Sequence, residues 1–475
     1  MKRKHILIFL ATFSLGIGQA QDSGFLTQFP WAQKVGAKSY PIESKEFYVN
    51  NYGAKGDGIT MNTQAIQATI DACAASGGGV VSFKPGQYVT GSIFLKSGVR
   101  LHIGKEVTLL GSQKLEDYPD IDTRAAGIEL KWPAALINVI DQQNVAITGD
   151  GLINARGKVF WDKYHEMRKE YNPKGLRWIV DYDCKRARTI LIQNSKDVTL
   201  KGLTIHQAGF WTVQVVYSQY VTVAGLTIRN NIDGKGPSTD AIDIDSSSYV
   251  LVEGCDTDCN DDNYCLKAGR DADGLRVNRP CEYVVLRNCV SRSGGGTLIC
   301  GSETAGCIRH ILAYNMKAIR SSSGVRLKSA ITRGGTLEDI NVYNFELDSV
   351  NNAVAITMNW NPAYSYSTLP SGYDPETIPT HWKVMLQKVT PEQGLPHFKD
   401  IHITGMKGST RRTAFDVAGM PESKASGFTI TDFHVSSKTA GKITYAKDWT
   451  LKNVTIIPSD SSKLVFENCE GMQYK

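Results

Sequence analysis

The chain has 475 residues, 41% hydrophobic and 21% charged, with 44 Gly, 16 Pro and 10 Cys. That composition excludes a disordered tail, a collagen-like chain and a small disulfide-stapled miniprotein. The formal charge of +6 is a weak pointer to a polyanionic partner, and nothing in the sequence predicts a nucleic-acid ligand.

The first residues account for half of that charge. Met1-Lys2-Arg3-Lys4-His5 is a basic head, Ile6 to Ile17 an apolar stretch, and Gly18-Gln19-Ala20 a small-x-small end. This is the pattern of a secretory signal peptide, residues 1–20, cleaved near Ala20. The apolar run is short for a membrane span. Cleavage removes Lys2, Arg3 and Lys4 and no acid, which brings the charge from +6 to +3. The expectation is an exported, monomeric chain with no membrane contact after cleavage.

Next comes a predicted cap. Asn62-Thr63-Gln64 precedes Ile66, Thr69, Ile70 and Cys73 at helical spacing, and Gly77-Gly78-Gly79 stops the helix. Val80 to Phe83 reads as a strand and Lys84-Pro85-Gly86 as a turn. Such a helix would plug the end of an open sheet.

From there a repeat sets the architecture. Val198-Thr199-Leu200-Lys201-Gly202-Leu203-Thr204-Ile205 recurs 23 residues later as Val221-Thr222-Val223-Ala224-Gly225-Leu226-Thr227-Ile228. Looser copies pivot on Gly149, Gly254, Asn288, Asn315, Asn344, Gly405, Asp432 and Asn453. Each unit reads as two short alternating strands around a turn residue able to take a left-handed conformation. Strands this short bury their apolar faces only by stacking, which predicts a parallel β-helix over residues 21–475. A leucine-rich repeat lacks its consensus here, and propeller blades would be longer. The intervals of 53 residues (149 to 202) and 61 residues (344 to 405) predict either two coils or a coil plus an insertion. Residues 155–185 and 359–398 break the rhythm with aromatic and charged residues. They are candidate walls of a sugar-binding groove or, alternatively, packed surface loops.

Ser238-Thr239-Asp240-Ala241-Ile242-Asp243-Ile244-Asp245 opens one coil, and Asn260-Asp261-Asp262-Asn263-Tyr264-Cys265-Leu266-Lys267 the next. Asp240 lies 21 and 22 residues before Asp261 and Asp262, so the acids are expected to stack on neighbouring turns. Like charges in such a stack raise one another's pKa, and one protonated acid beside one ionised base is what glycoside hydrolysis needs. The same acids could bind Ca²⁺ or merely cap turns. Seven cysteines fall between Cys255 and Cys307. They either form one or two bridges or stack as small core residues. No paired C-x-x-C of zinc-site spacing is present, and no metal or cofactor is expected. Gly324-Val325-Arg326-Leu327-Lys328 places two cations on one strand face, suited to a substrate carboxylate. Lys267 and Asp243 complete the candidate substrate-binding set.

These residues resemble glycoside hydrolase family 28, the polygalacturonase and rhamnogalacturonase family, over nearly the whole chain after the signal. Asn51 to Gly58 resembles the opening signature of pectin-active β-helices. Asp150-Gly151 to Trp161 and Phe210 to Val213 also agree. Ser238-Thr239-Asp240 resembles the family's Asn-Thr-Asp, Asp261-Asp262 its Asp-Asp pair, and Arg326-Leu327-Lys328 its Arg-Ile-Lys. The resemblance implies a right-handed β-helix acting on pectic polysaccharide with inversion. It makes Asp261 the general acid, lets Asp240 and Asp262 position and activate water, and sets Arg326 and Lys328 on the substrate carboxylate. One departure stands out: Ser293-Gly294-Gly295-Gly296 lacks the His of the family's Gly-His-Gly. Rhamnogalacturonan hydrolases resemble this chain in lacking that His but tend to alter the Asp-Asp pair, which is intact here. Gly301-Ser302-Glu303 resembles members several of which act from chain ends. A rhamnogalacturonan hydrolase, a polysaccharide lyase and a non-catalytic carbohydrate-binding solenoid are the competing expectations.

Overall fold

The computed structural model describes residues 26–43 and 45–475; the predicted signal peptide lies outside the described residues. The chain winds into a parallel β-helix. A coil contributes up to three strands where the sequence suggests two: the pair around the pivot, such as Lys196–Lys201 and Thr204–His206 around Gly202, is preceded by a third, Ile190–Gln193. All ten pivots, from Gly149 to Asn453, have positive φ. The Asn members also bond along the helix axis. Asn315 donates to Asn288 at 3.1 Å, and Asn344 to Asn315 at 3.3 Å.

Both long intervals are one coil plus an insertion. Val145 pairs directly with Val198, and Tyr343 with Thr404. The first insertion carries the helix Lys158–Tyr171 and the short helix Val180–Asp183; the second carries Pro362–Ser365, Thr380–Met385 and Pro391–Gly394. Most of their aromatics face one another and not solvent. Trp178 and Trp382 pack edge to face at 5.5 Å, and both are buried with Tyr182 and Trp132. The helix Thr63–Ala75 caps the first coils, with Ile66, Thr69, Ile70 and Cys73 buried.

One column of strands positions the site: Val213–Val216, Ile242–Asp245, Tyr264–Lys267, Leu298–Cys300 and Ser323–Lys328. Val213, Ile242, Tyr264, Leu298 and Val325 are in register and point into the core. Alternation then turns the row Gln214, Asp243, Cys265, Ile299 and Arg326 outward. Of the seven cysteines between Cys255 and Cys307, all but the half-buried Cys307 are buried; all ten in the chain are free thiols.

A hairpin that the sequence did not disclose crosses this column. Its strands, Asp120–Ala125 and Ile128–Pro133, pair antiparallel. Arg124 donates to Asp245 at 3.0 Å with both side chains fully buried, and Gln214 donates to the Arg124 carbonyl. At the far side the Gly127 carbonyl accepts from Arg270 N–H at 2.8 Å, and Glu129 N–H donates to Asp273 at 2.8 Å. Tyr182 of the first insertion and Tyr364 of the second both meet the Arg270 guanidinium, at 2.8 Å each. The two insertions thus close over the hairpin.

Candidate active site

The ladder extends one step beyond the strands. Ala241 N–H donates to the Asp262 carbonyl at 2.9 Å, which sets Asp240 beside Asp262 on adjacent coils. A carboxylate oxygen of each lies within 4.8 Å of the other. Asp261 follows from the same turn, its Oδ1 accepting the Asp262 N–H at 3.0 Å. Asp240 and Asp262 are buried; Asp261 is half-buried and opens on the groove.

Two lysines hold the cluster. Lys328 Nζ donates to Asp262 Oδ2 at 2.7 Å, and both side chains are nearly fully buried. Lys267 Nζ stands 3.6 Å from Asp240, 3.6 Å from Asp243 and 3.4 Å from Glu303. Each ammonium lies against an indole face, Lys267 at 4.8 Å from the Trp211 ring and Lys328 at 4.6 Å from that of Trp360. The lysines divide the acids. Burial raises Asp240 well above the ordinary carboxylate range, and Asp261 and Asp243 add to it. Burial raises Asp261 too, helped by the charge of Asp262. Burial would raise Asp262, but Lys328, Lys267 and Arg326 outweigh it and hold that group low. Burial and the same kind of contest leave Glu303 low, through Lys267 above all.

These groups line an open space of about 500 Å³, mouth included, with Ala126 of the hairpin tip, Arg177 and Asp181 of the first insertion, and Trp360 and Tyr364 of the second. That size is ordinary for a small-ligand site. Asp240, Asp261, Asp262, Lys267 and Lys328 come together there. Arg326 stands half-buried outside that lining, its Nη1 on the Gly295 carbonyl at 3.1 Å. Asp243 does not reach the pocket: it is fully buried behind Lys267, neither oxygen has a hydrogen-bond partner, and burial raises it well above its usual range. Of the substrate-binding set predicted from sequence, Asp243 is thus the member that stands behind Lys267 and away from the pocket lining. Sequence reading also passed over Arg177, Asp181 and the pocket role of Glu303. Their only signal was charge inside an irregular insertion or after a turn.

Gly295 sits where the resemblance has His. A Cβ there would come within 2.4 Å of Asp262 Oδ1, so the missing imidazole goes with a bare backbone wall against the acid. Asp240, Asp262 and Cys265 are the described trio whose donor atoms are close enough for a cation. Lys328 already occupies Asp262 Oδ2, and Lys267 faces Asp240.

A parallel β-helix with acids and cations on one strand column is the architecture of a carbohydrate-active solenoid. The chain belongs to the glycosyl hydrolases family 28, whose model matches residues 81–392. A probable polygalacturonase of Vitis vinifera is 30% identical over 339 residues, 69% of this chain and 65% of that relative. The match thus spans just under two thirds of the grapevine protein. An exo-poly-alpha-D-galacturonosidase of Dickeya chrysanthemi is 26% identical over 460 residues, 87% of this chain and 74% of the relative. Among solved structures, a Thermotoga maritima exopolygalacturonase superposes with a TM-score of 0.70 at 24% identity, covering 94% of this chain and 96% of its own. A Yersinia enterocolitica family 28 exopolygalacturonase gives 0.72 at 21%, covering 91% and 79%. Both share the right-handed parallel β-helix.

Proposed function

We propose that this protein is an exported pectin-degrading glycosidase that hydrolyses α-galacturonosyl linkages with inversion, from a chain end. The observation that carries this is the arrangement of the acids: Asp240 beside Asp262, Asp261 next in the chain and opening on the groove, and Lys328 Nζ 2.7 Å from Asp262 Oδ2, with Asp261 raised and Asp262 lowered in keeping with it. Asp261 gives its proton to the glycosidic oxygen as the C–O bond breaks. A water held by Asp240 and Asp262 attacks the anomeric carbon, and Asp262 takes its proton. Asp262 Oδ1 and Asp240 Oδ1 are buried and accept no hydrogen bond from the protein. Lys328, beside its bond to Asp262, and Arg326 face the carboxylate of the unit on the polymer side of the cut. Action from a chain end is supported by the hairpin, which crosses the strand column at the coil of Asp245 and walls the groove beside the acids. The exo-acting Dickeya relative supports the same reading.

Product sizing on polygalacturonan tests it. The expected product is a single unit from the first time points, with the anomeric proton appearing inverted by NMR, and Asp261→Asn lowers kcat by about 10³-fold or more. Unsaturated products, or an unchanged rate in that variant, would overturn the assignment. Gly295 in the place of His favours one second reading, a rhamnogalacturonan hydrolase. Cleavage of rhamnogalacturonan in preference to polygalacturonan would establish it.

A further inference from the structure

The wall built by the first insertion carries a cation that the chemistry above does not use. Arg177 lines the pocket with Asp240, Asp261 and Asp262, and its side chain is 22% exposed. Its Nη1 donates to Asp181 Oδ2 at 2.6 Å, and its guanidinium lies 4.9 Å from the Tyr364 ring centroid. Asp181 is shared. Its Oδ1 accepts from Arg186 Nη2 at 3.3 Å and from Ser238 Oγ at 3.3 Å. Arg186 is fully buried, sandwiched between the rings of Tyr164 and Phe210 at 4.3 and 4.6 Å. One carboxylate therefore serves two guanidiniums, and the surplus positive charge sits on Arg177, the more exposed of the two.

Of the other pocket cations, Lys267 faces three acids, and Lys328, bonded to Asp262, is the one already assigned with Arg326 to the polymer side of the cut. Ser238, short where the resemblance has Asn, ends on Asp181 and so belongs to the same wall. A guanidinium fixed on one side by a carboxylate and on one face by an aromatic ring still has donors to spare for a bidentate grip.

We propose that Arg177 binds the carboxylate of the terminal sugar unit and makes the site selective for an acidic over a neutral chain end. The inference rests on the reading given under Proposed function, since it supposes a uronate end in this pocket. It is a specificity contact, made to substrate in the ground state and the transition state alike, so its loss falls chiefly on KM.

The test compares digalacturonate with the same disaccharide methyl-esterified at its terminal, non-reducing carboxylate. The ratio of kcat/KM for acid over ester is measured in wild type, Arg177→Gln and Arg177→Lys. The wild type is expected to prefer the acid by about 10- to 100-fold, the scale of one charge-assisted contact. Arg177→Gln erases that preference mainly through KM, and Arg177→Lys restores part of it. Equal losses on acid and ester would show a merely structural arginine and overturn the proposal. Calorimetry on Asp261→Asn separates the two readings. Preferential binding of galacturonate over galactose that disappears on adding Arg177→Gln supports the carboxylate contact even if neither disaccharide is cleaved. Equal binding of both sugars overturns it even if pectin is cleaved.

Discussion

Lys328→Met isolates the contact that keeps Asp262 ionised. The substitution preserves much of the buried stem and removes the ammonium 2.7 Å from Asp262 Oδ2. What remains is a buried carboxylate whose Oδ1 has no hydrogen bond from the protein and whose low pKa depended on that cation. The variant's simplest escape is to protonate Asp262. Protonating an acid of ordinary value 3.8 at pH 7 costs about 4 kcal/mol, at about 1.4 kcal/mol per pH unit. That sets the scale of the destabilisation, and it agrees with the ~3–5 kcal/mol of broken buried ion pairs. Lys267 and Arg326 reduce it. The sign follows from linkage: a depressed acid stabilises above its unfolded pKa, and that contribution is lost as pH falls through the folded value. The difference between wild type and variant should therefore be largest near neutrality and shrink toward pH 4. Denaturant unfolding of both proteins across that range measures it, and the acid limb of kcat/KM should move to higher pH in the variant. A difference that does not change with pH, or an unmoved acid limb, would refute the assignment of Asp262 as the ionised group.

Asp243→Asn removes a buried acid whose pKa is raised by burial. Such a group costs stability progressively as pH rises above its ordinary value, so the variant's thermal midpoint should gain on wild type from about pH 4 to pH 8. A gain independent of pH would count against it. Gly127→Val acts on the hairpin tip, where φ is +89° and a Cβ would lie 2.6 Å from both Arg270 and Glu303 side-chain carbons. The cost is about 1–3 kcal/mol, spent on undocking the tip, and product sizing should then reveal oligomers beside the single unit. Asn315→Val places a β-branched residue at φ +53° in the axial asparagine ladder. A loss of about 1–2 kcal/mol in unfolding experiments is expected, with Asn315→Gly losing less.

The coils were legible because their signal is local. A left-handed turn admits few residue types, so the pivots announced themselves as Gly, Asn and Asp one coil apart. The 22-residue offset from Asp240 to Asp262 is likewise the strand register itself. What escaped was set by contacts between distant segments. Nothing near Asp120 marks a hairpin that finds its partners at Asp245, Arg270 and Asp273. The insertions' aromatics read equally as sugar platforms or as packing, and the structure divides them: Trp178, Tyr182 and Trp382 pack the two insertions together, while Trp360 and Tyr364 line the pocket. Asp243 alternates outward on its strand as the pattern requires, but Lys267 and its neighbours cover it. Outward on a strand is not exposed once a long side chain of the next coil lies over it.

The hairpin also bears on the order of events in turnover. It is fastened by a fully buried ion pair at one end and by backbone bonds at the other, so it forms a fixed rear wall and not a door. On the reading proposed, the detached terminal unit lies deeper than the polymer it came from. The polymer must therefore withdraw before the monosaccharide can leave. A chain that has to back out after every cut is not threaded forward, and the enzyme samples many chain ends in turn. A population of pectic chains would shorten together, one unit per encounter.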